Sequence, residues 1–147
     1  MPDTIFVNLP VADVDASTAF YEAIGATRDL RFSAPGQATA MKWSDTISFM
    51  LLSPDFFRGF LPEGKSIADA KATTEVLLCI SRDSRDAVNA ITQAAAKAGG
   101  RIDLRPVQDM GFMYGRTFED LDGHIFEPMY MDVDAFMAAN AAQAEAA

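Results

Sequence analysis

The chain has 147 residues, half of them hydrophobic, with 21 acidic against 12 basic side chains and a formal charge of −9. A chain of this size makes one ordinary domain or two small fused halves. The negative balance opposes nucleic acid and anionic lipid as partners and would favour a cationic ligand.

Eleven Phe and eight Met supply core volume, so folding needs neither a disulfide nor a structural metal. Cys79 is the only cysteine; its place in a strand suits a buried thiol in a reducing compartment. No apolar run approaches the roughly 20 residues of a membrane span, and the N-terminus lacks a basic-then-apolar export signal, so the expected location is the cytoplasm.

Residues 4–12 read as a strand, with Ile5, Val7, Leu9 and Val11 on one face and Phe6, Asn8 and Pro10 on the other. Pro10 cannot donate to a ladder and marks an edge or the strand's end. Asp13 is the expected N-cap of a helix over 14–24, which stops at Gly25. Strands follow at about 27–33, 37–43 and 46–53, separated by Pro35-Gly36 and Ser44-Asp45. Residues 54–74 break the periodicity. A loop of about 20 residues inside a compact domain either joins two units or covers a site. Its grouped Phe56, Phe57 and Phe60 are expected to pack, with a mobile lid as the alternative.

The pattern then begins again. A strand over 75–81 leads to a helix capped by Asp83 or Ser84, with apolar positions at Ala87, Val88, Ile91, Ala94, Ala95 and Ala98, and Gly99-Gly100 ends it. Strands are expected over 101–108 and about 112–120. Asp122-Gly123 between alternating runs is a hairpin signal and turns the chain into a last strand over 125–131. There Ile125, Glu127 and Met129 share one face, Phe126, Pro128 and Tyr130 the other. The alanine-rich tail from 132 onward is helical by propensity. The order is therefore βαβββ, linker, βαβββ: an α+β chain of two modules, at about 4–53 and 74–131, joined by a linker over about 54–73. Each helix covers one face of its sheet and leaves the other concave and open, so a cavity between sheets follows.

Glu127 stands out as a carboxylate in an apolar strand, where an unpaired charge is costly. It either serves a ligand or pairs with a neighbour such as Arg105, Arg116 or Lys42. Glu75 opens the equivalent first strand, and two facing carboxylates would form an acid–base pair or a seat for a cationic group. Strand parity makes Asn8, Cys79, Tyr114 and Arg116 further candidates for lining the cavity. His124, three residues before Glu127, is expected as an exposed turn side chain on the opposite face. With no other histidine to activate it, Cys79 is not expected to act as a nucleophile.

The element order and three stretches resemble the vicinal oxygen chelate superfamily of glyoxalases, bleomycin-resistance proteins and extradiol dioxygenases. The stretches are Val7 to Val14 with Phe20-Tyr21, then Gly25-Ala26, and Asp120 to Glu127. The resemblance implies paired βαβββ modules forming a half-open barrel, usually in a homodimer. Metal-dependent members hold one divalent ion with four side chains from the first and last strands of each module. By position Glu127 matches one ligand and Glu75 a second, whereas Phe6 stands at a histidine position and Phe49 or Met50 at a glutamate position. Such a set lacks the three or four ligands that Zn, Ni, Mn or Fe need. The leading expectation is a metal-independent protein that binds a small organic molecule in a cavity lined by Phe6, Asn8, Glu75, Cys79, Tyr114, Arg116 and Glu127. The alternative is a lactoylglutathione-lyase-like lyase or isomerase, or a dioxygenase, using Glu75 and Glu127 as ligands to a divalent metal.

Overall fold

A computed structural model describes residues 2–146. The first module runs β1 (Ile5–Pro10), α1 (Val14–Ala23), β2 (Thr27–Ala34), β3 (Ala38–Lys42) and β4 (Ile47–Leu52). A short helix α2 (Pro54–Arg58) opens the linker. The second module comprises β5 (Leu77–Ser81), α3 (Arg85–Lys97), β6 (Arg101–Ile102), β7 (Gln108–Asp109), β8 (Met113–Gly115), β9 (Phe118–Glu119) and β10 (Ile125–Met131), and α4 (Val133–Ala146) follows. No helix among the described residues is long and apolar enough to cross a membrane.

The first sheet has the order β1-β4-β3-β2, with β1 parallel to β4 and the other pairs antiparallel. The second repeats it in broken form. There β10 lies between parallel β5 and antiparallel β8 and β9, which pair outward with β7 and β6. The two strands expected over 101–108 and 112–120 are thus each split. Pro106 can donate no ladder bond, and Asp103 takes a positive φ of 53°. Thr117 fills the gap, its carbonyl accepting from Asp103 N at 2.7 Å and its hydroxyl from Leu104 N at 2.8 Å.

The helix ends follow their caps. Asp13 accepts from Ala16 N at 3.0 Å, Ser84 from Ala87 N at 3.0 Å, and Ser53 from Phe56 N at 3.3 Å with Pro54 just behind it. Helix α2 escapes periodicity reading because it is five residues long.

Both modules contribute to one core. Tyr21 and Phe49 from the first meet Phe126 of the second at ring distances of 5.9 and 5.3 Å. Phe126 stacks on Phe118 at 5.1 Å, and Phe20 lies 6.4 Å from Phe118. These rings are buried between the helices and the sheets, and α1 packs against α3. The expected register of β10 holds: Phe126 points into this core, and Ile125, Glu127 and Met129 lie on the other, concave face.

The turn between β9 and β10 clasps the modules together. Buried Asp120 accepts from the Tyr21 hydroxyl at 2.7 Å and from the backbone N–H of Asp122 and His124 at 2.9 Å each. Asp122 accepts from Ala12 N at 2.9 Å, and His124 Nε2 lies 2.8 Å from the Pro10 carbonyl. A carbonyl can only accept, so Nε2 carries the proton there. The expectation of an exposed His124 is therefore corrected: the ring is half-buried and bridges modules. Gly123, at φ 95°, is required twice over, since a Cβ there would come within 2.8 Å of the Ala70 carbonyl oxygen.

Asp120→Ala would strand the Tyr21 hydroxyl and two N–H groups, and should destabilise the fold by about 3–5 kcal/mol in urea unfolding, against about 1–2 for Tyr21→Phe. Desolvation by burial raises the Asp120 carboxyl above its ordinary range, against the lowering effects of His124 and of its hydrogen bonds. A raised carboxyl binds its proton more tightly in the folded state, so wild-type stability is lost as pH rises from the unfolded value of about 4 through the folded one. Asp120→Asn, which keeps the shape and removes the titration, should show a flatter stability–pH curve over that window.

Candidate functional site

The concave faces are open. On the first module the open face carries Phe6, Asn8, Ser48 and Met50 by strand alternation, with Phe6 beside Ser48 and Asn8 beside Met50 in the register. On the second, Glu127 neighbours Cys79 and Ile125 neighbours Leu77. Phe6 is 48% and Leu77 53% exposed, and Leu30 and Phe32 on β2 are also exposed. Phe32 meets Phe6 edge-on at 6.1 Å.

Glu127 has a partner. Arg105, from the loop between β6 and β7, donates through Nη2 to Glu127 Oε2 at 2.5 Å and reaches Gln108 Oε1 at 3.4 Å. Glu127 is mostly covered and Arg105 is half exposed. Cys79 is exposed beside this pair, not buried as expected. Its thiol is pushed up first by desolvation and then by the Glu127 charge, with Arg105 opposing; a raised thiol holds less of the nucleophilic thiolate.

The candidate residues do not form one site. Tyr114 and Arg116 lie on the helix-covered face, opposite to the expectation. The Tyr114 hydroxyl donates to Asn89 Oδ1 of α3 at 2.7 Å, and Arg116 donates to the same oxygen at 3.1 Å while forking onto Asp103 at 3.0 and 2.8 Å. Their register with β10 is continuous, Tyr114 opposite Tyr130 and Phe118 opposite Phe126, so both residues share the face of core Phe118 and not the concave one. Glu75 lies before β5 instead of in it, exposed in the linker. It borders a different cavity from the face that carries Glu127, so the two carboxylates do not form a facing pair.

That cavity encloses about 430 Å³ at the seam between the modules. Strands β1 and β5 pair only with β4 and β10, so each leaves an edge, and both edges border it. The linker closes it over with Phe57, Leu61 and Ile67, and the start of β10 supplies Ile125. The linker phenylalanines divide: Phe57 packs inward, whereas Phe56 and Phe60 meet each other at 5.4 Å with Phe60 63% exposed. Sequence reading gave no signal for this cavity, because it depends on how the two edges and the linker meet.

A divalent ion does not fit the donors present. Among the described residues no group of three or more His, Cys, Asp or Glu could hold a metal ion. At the two first-module positions, Phe6 offers a benzyl group and Met50 a thioether, while Phe49 is buried against Tyr21 and Phe126. Arg105 already neutralises Glu127.

No sequence-family model matches the chain, and no curated protein matches it. Solved structures do. A hypothetical protein from S. aureus superposes with a TM-score of 0.71 at 22% identity, over 88% of this chain and 94% of that one. A glyoxalase/bleomycin resistance protein/dioxygenase family enzyme from Burkholderia phytofirmans gives 0.68 at 16%, over 88% and 99%. A glyoxalase-related enzyme from Fulvimarina pelagi gives 0.69 at 17%, over 88% of each chain. The chain therefore has the α+β fold of glyoxalase/bleomycin-resistance/dioxygenase proteins. At these identities the likeness speaks for the fold and leaves the chemistry to the residues.

Proposed function

We propose that this protein binds a small organic molecule on its concave faces without a protein-bound metal, in a homodimer that closes those faces. The observation that carries the reading is the Arg105–Glu127 pair. The glutamate that the resemblance assigns to a metal is held by a guanidinium, and Phe6 and Met50 stand opposite in the repeat. A fixed cation in place of a metal ion can still orient a polar ligand atom, but it supplies neither Lewis-acid coordination nor an activated water. A cationic ligand is favoured by the charge of −9 and would compete with Arg105 for Glu127.

The dimer rests on the exposed apolar side chains of both open faces. Phe6, Leu30, Phe32 and Leu77 form more apolar surface than single scattered residues. A second copy related by two-fold symmetry would set the first-module face of one chain over the second-module face of the other.

Two outcomes follow. Elemental analysis of protein purified without chelators should find less than about one tenth of a transition-metal ion per chain, and Glu127→Gln, which removes one side of a partly exposed ion pair, should lower the melting temperature only slightly. Stoichiometric Zn, Ni, Mn or Fe that Glu127→Gln abolishes would establish the metalloenzyme alternative instead. Light scattering at micromolar concentration should return twice the chain mass, with Phe6→Asp shifting it toward one chain. A single-chain mass for wild-type protein would refute the dimer.

A further inference from the structure

The seam cavity touches the concave faces at Asn8 and Ile125, but neither Glu127 nor Arg105 lines it. Its volume of about 430 Å³ falls within the range of small-molecule sites and is room for roughly 14 waters at bulk density. The half-buried wall residues Phe57, Leu61, Ile67, Leu78 and Ile125 line this space. These hydrocarbon walls face solvent in a half-open cavity, and an apolar occupant would cover them.

Its polar groups restrict the occupant. Lys65 and Glu75 border the cavity, carry opposite charge, and form no ion pair among the described residues. Both are exposed and solvated, so they oppose each other's field at the rim without presenting a buried charge. Asn8, exposed at the cavity, has no hydrogen-bond partner for its amide among the described residues and can both donate and accept. His124 also lines the cavity, with Nε2 donating to the Pro10 carbonyl. A charged molecule would have to desolvate against hydrocarbon walls, whereas a hydroxyl or amide would find a donor and an acceptor.

We infer that the seam cavity is a second binding site, for an uncharged, mainly hydrocarbon molecule ending in a hydroxyl or amide, with the linker as its cover. The cover has the construction for this. Between α2 and β5 it holds no strand and no helix, and it is tied down chiefly by short turns and by the contact of Ala70 on Gly123. Binding beneath it stabilises the closed arrangement by mass action. Neither member of the Arg105–Glu127 pair lines this site, so it survives if the reading of that pair fails.

Limited trypsinolysis tests it, because Lys65 and Lys71 lie exposed in the linker. Benzyl alcohol at millimolar concentration should slow cleavage there at least about threefold, while benzoate and benzylamine at equal concentration should be at least about tenfold less effective. Ile67→Trp and Leu61→Trp, which fill the space, should melt like wild type and abolish the protection. Glu127→Gln should leave it unchanged. In wild-type protein, methyl resonance shifts should centre on Leu61, Ile67, Leu78 and Ile125, a readout that holds even where a tryptophan variant misfolds. Absence of protection, equal protection by the charged analogues, protection persisting in folded tryptophan variants, or shifts centred on Met50 and Met129 would each overturn the proposal.

Discussion

The arrangement of this chain depends on the shared aromatic core and on the carboxylate that locks it. Tyr21 is buried among Phe20, Phe49 and Phe126 and ends its hydroxyl on Asp120. A buried tyrosine needs a partner for its hydroxyl, and a buried carboxylate needs donors for both oxygens. Each satisfies the other across the module boundary, and the turn's own N–H groups complete Asp120. Because this core lies on the helix-covered side of both sheets, the modules sit edge to edge with their helices in contact. Neither open face can then be covered by the other module of the same chain. The exposed apolar residues on both faces and the seam cavity at their edges are two consequences of that single constraint.

Much of this was legible in the sequence. Strand alternation around Asp122-Gly123 placed Phe126 inward and Glu127 on the concave side, because period two leaves only that choice once the turn is fixed. Asp13, Ser84, Gly25 and Gly99 bounded the helices for local reasons of capping and positive φ. Alternation alone did not say which face of the strand is covered. The register with β10 runs unbroken from Tyr114, opposite Tyr130, to Phe118, opposite Phe126, so Tyr114 and Arg116 share the face of core Phe118. Tertiary contacts settled the rest. Sequence reading named Arg105 among three partners for Glu127 without choosing between them, and nothing local tells that His124 will reach Pro10, 114 positions away.

On the proposed reading, the Arg105–Glu127 pair would separate this fold from metal chemistry at low cost. An isolated carboxylate on an apolar sheet face carries a desolvation cost that a bound cation of any kind relieves. A metal ion does so only with further ligands of the right type and geometry, and here those places hold a phenyl ring and a thioether. A guanidinium asks for less, since its planar fork needs only one carboxylate and can direct its remaining donors to Gln108 or to solvent. The pair is partly exposed, so its net contribution to stability is small, and its main effect is on what the face can bind.

The linker answers a different physical need. Two sheets set edge to edge by their cores, without ladder bonds between β1 and β5, leave two rows of backbone donors and acceptors at the seam. Unpaired edges invite pairing with other chains, and a covering loop is one of the ways proteins prevent it. Residues between α2 and β5 cover these edges, but an irregular segment cannot follow two diverging strands with close-packed side chains along its whole length. It is anchored where Gly123 lets the Ala70 backbone approach, and it spans the remainder on Phe57, Leu61 and Ile67. The space left beneath that span is the seam cavity. Its shape follows from the mismatch between an irregular cover and two regular edges, and so a molecule that fills it would act on the linker before either sheet.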